Sequence, residues 1–446
     1  MKSSTKNRYT TGKIMGLLGT LVLLTGIMSA GALAQLPMAQ LPVAEPESVG
    51  MSSERLQQMD AALQELIDKD RTAGIVTLVA RDGKVVHQSA LGDRSREAGD
   101  AMAADDIFFI QSMTKSVVSA ALMMLFEEGG FLLSDPITRY LPEVGDKQVV
   151  RRRGDAVIHE PPDRPITFRD VLTHTSGVDP ERELLTPEQE ALLGRRDTLA
   201  ETLLGRAELP LGFSPGTQWD YGSSTDYVAM LVERISGQRL DRFLQQRIFE
   251  PLGMNETWYN VPPEYTNRIA TLYRPSDGLG SPLELASDPG SRGTTNYFGG
   301  VNGLYSTAAD YFRFAQMILN GGEFNGVRLL SPTTVNLMIS NHVGDLPVRA
   351  CVGSDGYGFG LSFVMVTDVG QSNESLSPGT FGWCGAWNTV YWVDPVERTV
   401  MILMEQITGP GGSDIRRMFP NLVMQAITES YHSGSGRIDG YEPIAR

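Results

Sequence analysis

The segment spanning residues 112–128 constrains this chain more than any other. Val117, Val118, Ala120, Ala121 and Leu122 leave it apolar almost all round at helical spacing, and Gly129-Gly130 stops it. A helix without a polar face has to be covered on every side, so the chain must build layers around it. With 446 residues it has ample length to do so. Inside this apolar segment sits Lys115, three residues after Ser112. Lys69 near a helix end and Lys84 after a turn occupy natural solvated positions, and Lys115 does not.

The flanking patterns say what the layers are. Ser52 or Ser53 caps a helix carrying Leu56, Met59, Leu63, Leu66 and Ile67. Runs 74–80 and 84–90 are β-rich and joined by Arg81-Asp82-Gly83, a hairpin signal. Residues 225–235, 240–249 and 307–320 read as helices, and β-rich segments return at 358–366, 388–393 and 398–404. The expected fold is α/β: an antiparallel sheet closed by N- and C-terminal segments and flanked by helices, with a mostly helical subdomain inserted over about 131–300. The hydrolase domain should span 47–430, after a linker at 35–46 and before a polar tail at 431–446.

Residues 1–34 read as a secretory signal peptide. Lys2, Lys6, Arg8 and Lys13 precede an uncharged apolar run that ends in Ala32-Leu33-Ala34. A retained anchor is the competing reading, because the run approaches spanning length. Cleavage leaves a periplasmic or secreted protein with no stable membrane partner, in a compartment where Cys351 and Cys384 are able to pair.

Composition removes other function classes. The chain has 38 Lys+Arg against 53 Asp+Glu, a net charge of −15, which repels the phosphates of nucleic acid. Two cysteines make no disulfide framework or cysteine zinc site, and five histidines show no tight ligand spacing. No metal and no organic cofactor is implied.

Two motifs offer a nucleophile. Gly212-Phe213-Ser214-Pro215-Gly216 matches G-x-S-x-G, but the residue after that serine must donate its N–H to an oxyanion, and Pro215 has none. The match is a turn. Ser112-Met113-Thr114-Lys115 places a hydroxyl where a helix opens and an amine one turn later on the same face. Desolvating an ammonium there is costly, which favours an amine able to take the serine proton. In the alternative, Ser112 is a plain cap and Lys115 snorkels to water. Tyr221-Gly222-Ser223 adds a phenol able to relay a proton toward a leaving group. His174 reads as a structural loop residue, and Arg151-Arg152-Arg153 as a solvated charge run before a loop.

Ser112-x-x-Lys115, Tyr221-x-Ser223 and a late glycine-containing strand resemble the serine β-lactamase and penicillin-binding-protein superfamily. The likeness is to its class C β-lactamase-like branch, nearest the family VIII carboxylesterases. It runs from about residue 46 to 427 and takes in Leu172-Thr173-His174-Thr175-Ser176-Gly177, Phe213-x-Pro215-Gly216 and the loop 299–305. The resemblance implies Ser112, Lys115 and Tyr221 as catalytic residues and the N–H groups of Ser112 and Ala386 as the oxyanion hole. Ser223, Trp383 and Gly385 would bind substrate. True β-lactamases and D,D-peptidases carry a Lys-Thr-Gly element that holds a substrate carboxylate, and here no lysine follows Lys147. Trp383-Cys384-Gly385-Ala386 is similar instead to the tryptophan-containing third motif of the esterases, which suits neutral acyl esters. His342-Val343-Gly344 precedes the final strands and is discounted. The expected function is an exported carboxylesterase acting on a small-molecule ester through an acyl-enzyme on Ser112. A D-amino-acid peptidase, amide hydrolase or weak β-lactamase, with Arg349 as substitute cation, is the first alternative. A cell-wall binding protein without turnover is the second.

Overall fold

Asp82 and Gly83 both take positive φ (52° and 73°), the geometry that lets a two-residue turn follow the twist of a hairpin. They join β1 (Gly74–Arg81) to β2 (Lys84–Ser95). The structure, a computed structural model, describes residues 41–278, 280–287, 293–349, 351, 355–409 and 413–432. The signal-peptide reading, the first half of the linker and the tail beyond residue 432 lie outside the described residues.

The remaining strands of the main sheet are β3 (Asp100–Ala101), β4 (Tyr357–Phe359), β5 (Val364–Val366), β6 (Phe381–Cys384), β7 (Val390–Asp394) and β8 (Thr399–Glu405). Their order is β4-β5-β6-β7-β8-β1-β2-β3, with every neighbour antiparallel. The N-terminal hairpin thus pairs with the C-terminal strand, Ile75 opposite Glu405 and Thr77 opposite Leu403. Every residue of β1 and β8 is buried, so helices cover both faces.

Cross-strand partners share a face, which sorts the helices. Thr77 shares a hydrogen bond with Ser89, which donates to Asp60 of α1 (Ser53–Asp68), whose N-cap is Ser52. Tyr391, opposite Ile402 and hence on the other face, donates to Ser116 of α2 (Thr114–Glu127). Between β3 and β4 lie α3 (Ser224–Ser236), which packs on α2, and α4 (Ala308–Leu319), which packs on β8, β1 and β7. The last helix, α5 (Ser413–Met424), packs on α1 and β8.

The fold is the expected one, and it differs from the sequence reading in three local ways. α2 begins at Thr114, and Gln111–Met113 form a 3₁₀ turn ahead of it, so Ser112 does not itself open the α-helix. The β-rich run 358–366 is two short strands, because the chain turns back at residues 360–363 with Ser362 at a φ of 68°. Residues Val149–Arg153 pair with Ala156–Glu160 as a hairpin, so the three arginines lie on a strand, with their own side chains exposed and Val149 and Val150 buried.

Candidate active site

A short strand leads into the nucleophile segment. Phe108–Phe109 pairs with Tyr305–Ser306, and the Ile110 N–H donates to Leu304 O at 3.0 Å. Gln111 then takes a φ of 48°, a left-handed conformation that costs a non-glycine residue roughly 1–3 kcal/mol. That bend sets Ser112 half-buried at the mouth of α2, while Lys115 one turn on is completely buried. Lys115 Nζ donates to Ser112 Oγ at 3.3 Å and to Val301 O at 2.9 Å, and lies 4.7 Å from the centre of the Tyr221 ring. The structure therefore brings Ser112, Lys115 and Tyr221 together, with the phenol presenting its ring face to the amine. Snorkelling to water is excluded.

Asp226, which no motif singled out, fixes the carbonyl that holds Lys115. Its carboxylate accepts the Gly300 and Val301 N–H groups at 2.9 and 3.1 Å and the Tyr297 hydroxyl at 2.7 Å. Gly300 has to be glycine, because a Cβ there would lie 2.0 Å from Thr225 O. Replacing Asp226 with Ala should lower kcat about 10²-fold on an activated ester, since a shift of about 1 Å in Val301 displaces the amine. Steady-state kinetics beside a melting curve will check this, with a lowered Tm also expected from the stranded N–H groups.

Tyr221 is held by a second carboxylate. Asp179 accepts the Ser223 hydroxyl at 2.6 Å and the Ser223 N–H at 2.7 Å, and a Cβ on Gly222 would sit 2.2 Å from it. The Ser223 hydroxyl proton is therefore committed to a carboxylate 44 residues away in sequence. Behind Tyr221 lie the rings of His174 (4.9 Å), Trp383 (5.3 Å) and Trp219 (6.3 Å). Trp383 is 1 % exposed and packs against Tyr221 from behind. The pleat explains this: Trp383 pairs with Tyr391 and so points to the α2 face of the sheet. His174 is fully buried, and burial together with the Lys115 charge holds its imidazole well below the usual value. A neutral ring packed edge-on to aromatics fits the structural reading. Ser214 likewise sits in a turn, its hydroxyl accepting the Asp163 N–H at 2.8 Å.

After Trp383 comes Cys384, disulfide-bonded to Cys351, and then the turn 385–388. The Gly385 N–H donates to Thr389 O at 2.8 Å and the Asn388 N–H to Gly385 O at 3.0 Å. A Cβ on Gly385 would lie 2.6 Å from Ile110 O and 3.2 Å from Gln111 Cβ, so the turn presses on the segment that carries Ser112. Gly385 thus acts through close approach. Ala386 at the tip is exposed. Among the described residues, neither the Ser112 nor the Ala386 N–H donates to a carbonyl.

One cation reaches this turn. Arg416 of α5 donates through Nη1 to Gly385 O at 3.5 Å, and no carboxylate among the described residues lies within ion-pair distance of it. Burial, then the charge of Arg417, presses its guanidinium below the ordinary value, against the pull of Glu405 and Tyr221. Arg349, the substitute expected from sequence, is instead exposed and paired with Asp355 at 2.8 Å.

Residues 59–419 match the model of the β-lactamase family. The chain belongs to that family. It is a serine hydrolase by that membership, and its relatives include esterases. It is 34 % identical to an uncharacterized protein of Mycobacterium tuberculosis over 78 % of this chain and 88 % of that one. It is 31 % identical to a lovastatin esterase of Penicillium rubens over 64 % of this chain and 73 % of the relative. Its fold matches that of EstCE1, a hydrolase with promiscuous acyltransferase activity, with a TM-score of 0.68 at 22 % identity over 84 % of this chain and 99 % of that one. Among the described residues, no group of His, Cys, Asp and Glu could hold a metal ion, and no helix is long and apolar enough to cross a membrane.

Proposed function

We propose that this protein is an exported carboxylesterase that cleaves neutral esters through an acyl-enzyme on Ser112. The observation that carries the reading is the completely buried Lys115 amine, 3.3 Å from the Ser112 hydroxyl and against the Tyr221 ring. Lys115 takes the serine proton as Ser112 Oγ attacks the ester carbonyl, and the N–H groups of Ser112 and Ala386 receive the oxyanion. The leaving alcohol takes a proton through Tyr221, and water then releases the acid. The lovastatin esterase among the relatives supports ester chemistry in this branch.

A second reading rests on Arg416. A cation on the turn 385–388 with no carboxylate within ion-pair distance among the described residues suits a substrate that brings its own, as peptides and β-lactams do. Turnover of p-nitrophenyl butyrate, nitrocefin and a D-Ala-D-Ala peptide by the chain lacking residues 1–34 separates the two. Ester kcat/KM at least about 10²-fold above the others, with the acyl mass trapped on the peptide containing Ser112, is the expected result. Preference for the carboxylate-bearing substrates would transfer the assignment to the peptidase or β-lactamase reading. An acyl adduct that never turns over would point to a binding protein.

A further inference from the structure

The turn that carries the Ala386 N–H is anchored from beneath by a side chain that no motif includes. Glu405 ends β8 completely buried, on the sheet face opposite Trp383, and accepts a short hydrogen bond from the Asn388 side-chain amide. Asn388 closes the turn at a φ of 74°, a conformation that asparagine tolerates better than most residues. Two further contacts pin the same turn: the Ile407 N–H donates to Trp387 O at 3.2 Å, and the Thr389 hydroxyl donates to Ile110 O at 3.3 Å. The second of these joins the turn directly to the segment bearing Ser112. The Asn388–Glu405 bond is the member of this set made between two buried side chains, so it can be altered without touching the backbone.

We propose that Glu405 and Asn388 are positioning residues for the oxyanion hole, with the buried carboxyl holding the Asn388 amide so that the Ala386 N–H faces the acyl oxygen on Ser112. This rests on the ester-hydrolase reading of the site. An oxyanion donor stabilises charge that develops only in the transition state, so misaiming it costs kcat and leaves KM nearly unchanged. A residue needed only for folding would instead lower Tm and activity together.

The charge state of Glu405 adds an independent readout. Burial pushes its carboxyl up to about 8, against the hydrogen bonds of Thr72 and Asn388 and the charge of Arg416. Among the described residues the charge acting on it is Arg416, from α5, while β1 sets the uncharged Ile75 opposite it. The charge of Glu405 acts on Arg416, which donates to Gly385 O, so the carboxyl's titration is coupled to the turn.

The test uses Asn388→Gly, which keeps the backbone conformation and removes the amide, together with Glu405→Met and Glu405→Gln. On p-nitrophenyl butyrate, Asn388→Gly and Glu405→Met should lose about 10- to 100-fold in kcat, with KM changed less than about twofold. Glu405→Gln keeps an acceptor for Asn388 and should retain kcat within about threefold at pH 7. The wild type should show a step in kcat centred near pH 8 that Glu405→Gln lacks. Wild-type kcat in Asn388→Gly overturns the proposal, as does a parallel loss of kcat and Tm that Glu405→Gln does not restore. Should Glu405→Met fail to fold, Asn388→Gly decides alone. Ser112→Ala separates the two levels: if it remains active the ester-hydrolase reading fails, and if it is dead while Asn388→Gly is unimpaired only the positioning role fails. A wild type that neither turns over the ester nor is labelled at Ser112 by a fluorophosphonate overturns both.

Discussion

Ser112→Ala should abolish ester turnover, lowering kcat by at least about 10⁴-fold while the fold survives, as loss of the nucleophile does in other serine hydrolases. Among the described residues the Ser112 Oγ side-chain hydrogen bond is the one with Lys115 Nζ, and its position in the 3₁₀ turn is half-buried. Tm should therefore stay within a few degrees of the wild type, because no buried partner other than the amine loses a bond. The residual rate belongs to the oxyanion donors and to substrate binding, which survive the substitution. A double variant with Lys115→Met should be no slower than Ser112→Ala alone, since the two residues act on one proton and their effects do not add. Ester kinetics on the purified variants, with a fluorophosphonate label as a titre of reactive serine, make the measurement. Turnover persisting in Ser112→Ala would sink the acyl-enzyme mechanism.

What the chain displays along its length and what it hides divide on physical lines. An all-round apolar helix holding a lysine is a local pattern, so α2 and the Ser112–Lys115 pair are legible, as is the hairpin at Asp82-Gly83. The residues that aim the site are not local. Asp226 acts on Gly300 and Val301, Asp179 on Ser223, and Glu405 on Asn388, each across a separation that only the fold closes. An isolated acidic residue inside a helix or at a strand end gives no periodic signal, and most such residues are solvated. Trp383 shows a subtler case. A motif says nothing of which way the ring points, which depends on the pleat of β6 and its register with Tyr391, and that turns the indole into the core behind Tyr221. The 3₁₀ turn at Gln111–Met113 was hidden for another reason. Nothing about glutamine announces a φ of 48°; the pairing of Phe109 with Tyr305 and the Ile110–Leu304 bond impose it.

Lys115→Arg is the sharpest probe of the base. Arginine keeps the positive charge, can lie on the Tyr221 ring and can donate to Val301 O, so a purely electrostatic role for Lys115 would survive the change. A guanidinium does not give up its proton in a protein, so a general base would be lost. Both Lys115→Arg and Lys115→Met should lower kcat by about 10³- to 10⁴-fold. They should differ in stability. Methionine fills the buried channel without a charge, whereas arginine is larger and forces its neighbours apart, so Lys115→Met should melt higher than Lys115→Arg. Deacylation reads the same group a second time, because the water that releases the acid also needs a base. Slow acylation measured by stopped flow in both variants, with whatever acyl-enzyme forms also slow to clear, is the expected pattern. If Lys115→Arg retains more than about a tenth of the wild-type kcat, proton abstraction belongs to another group. Tyr221, with its ring against the amine and Asp179 holding its loop, is then the next residue to substitute.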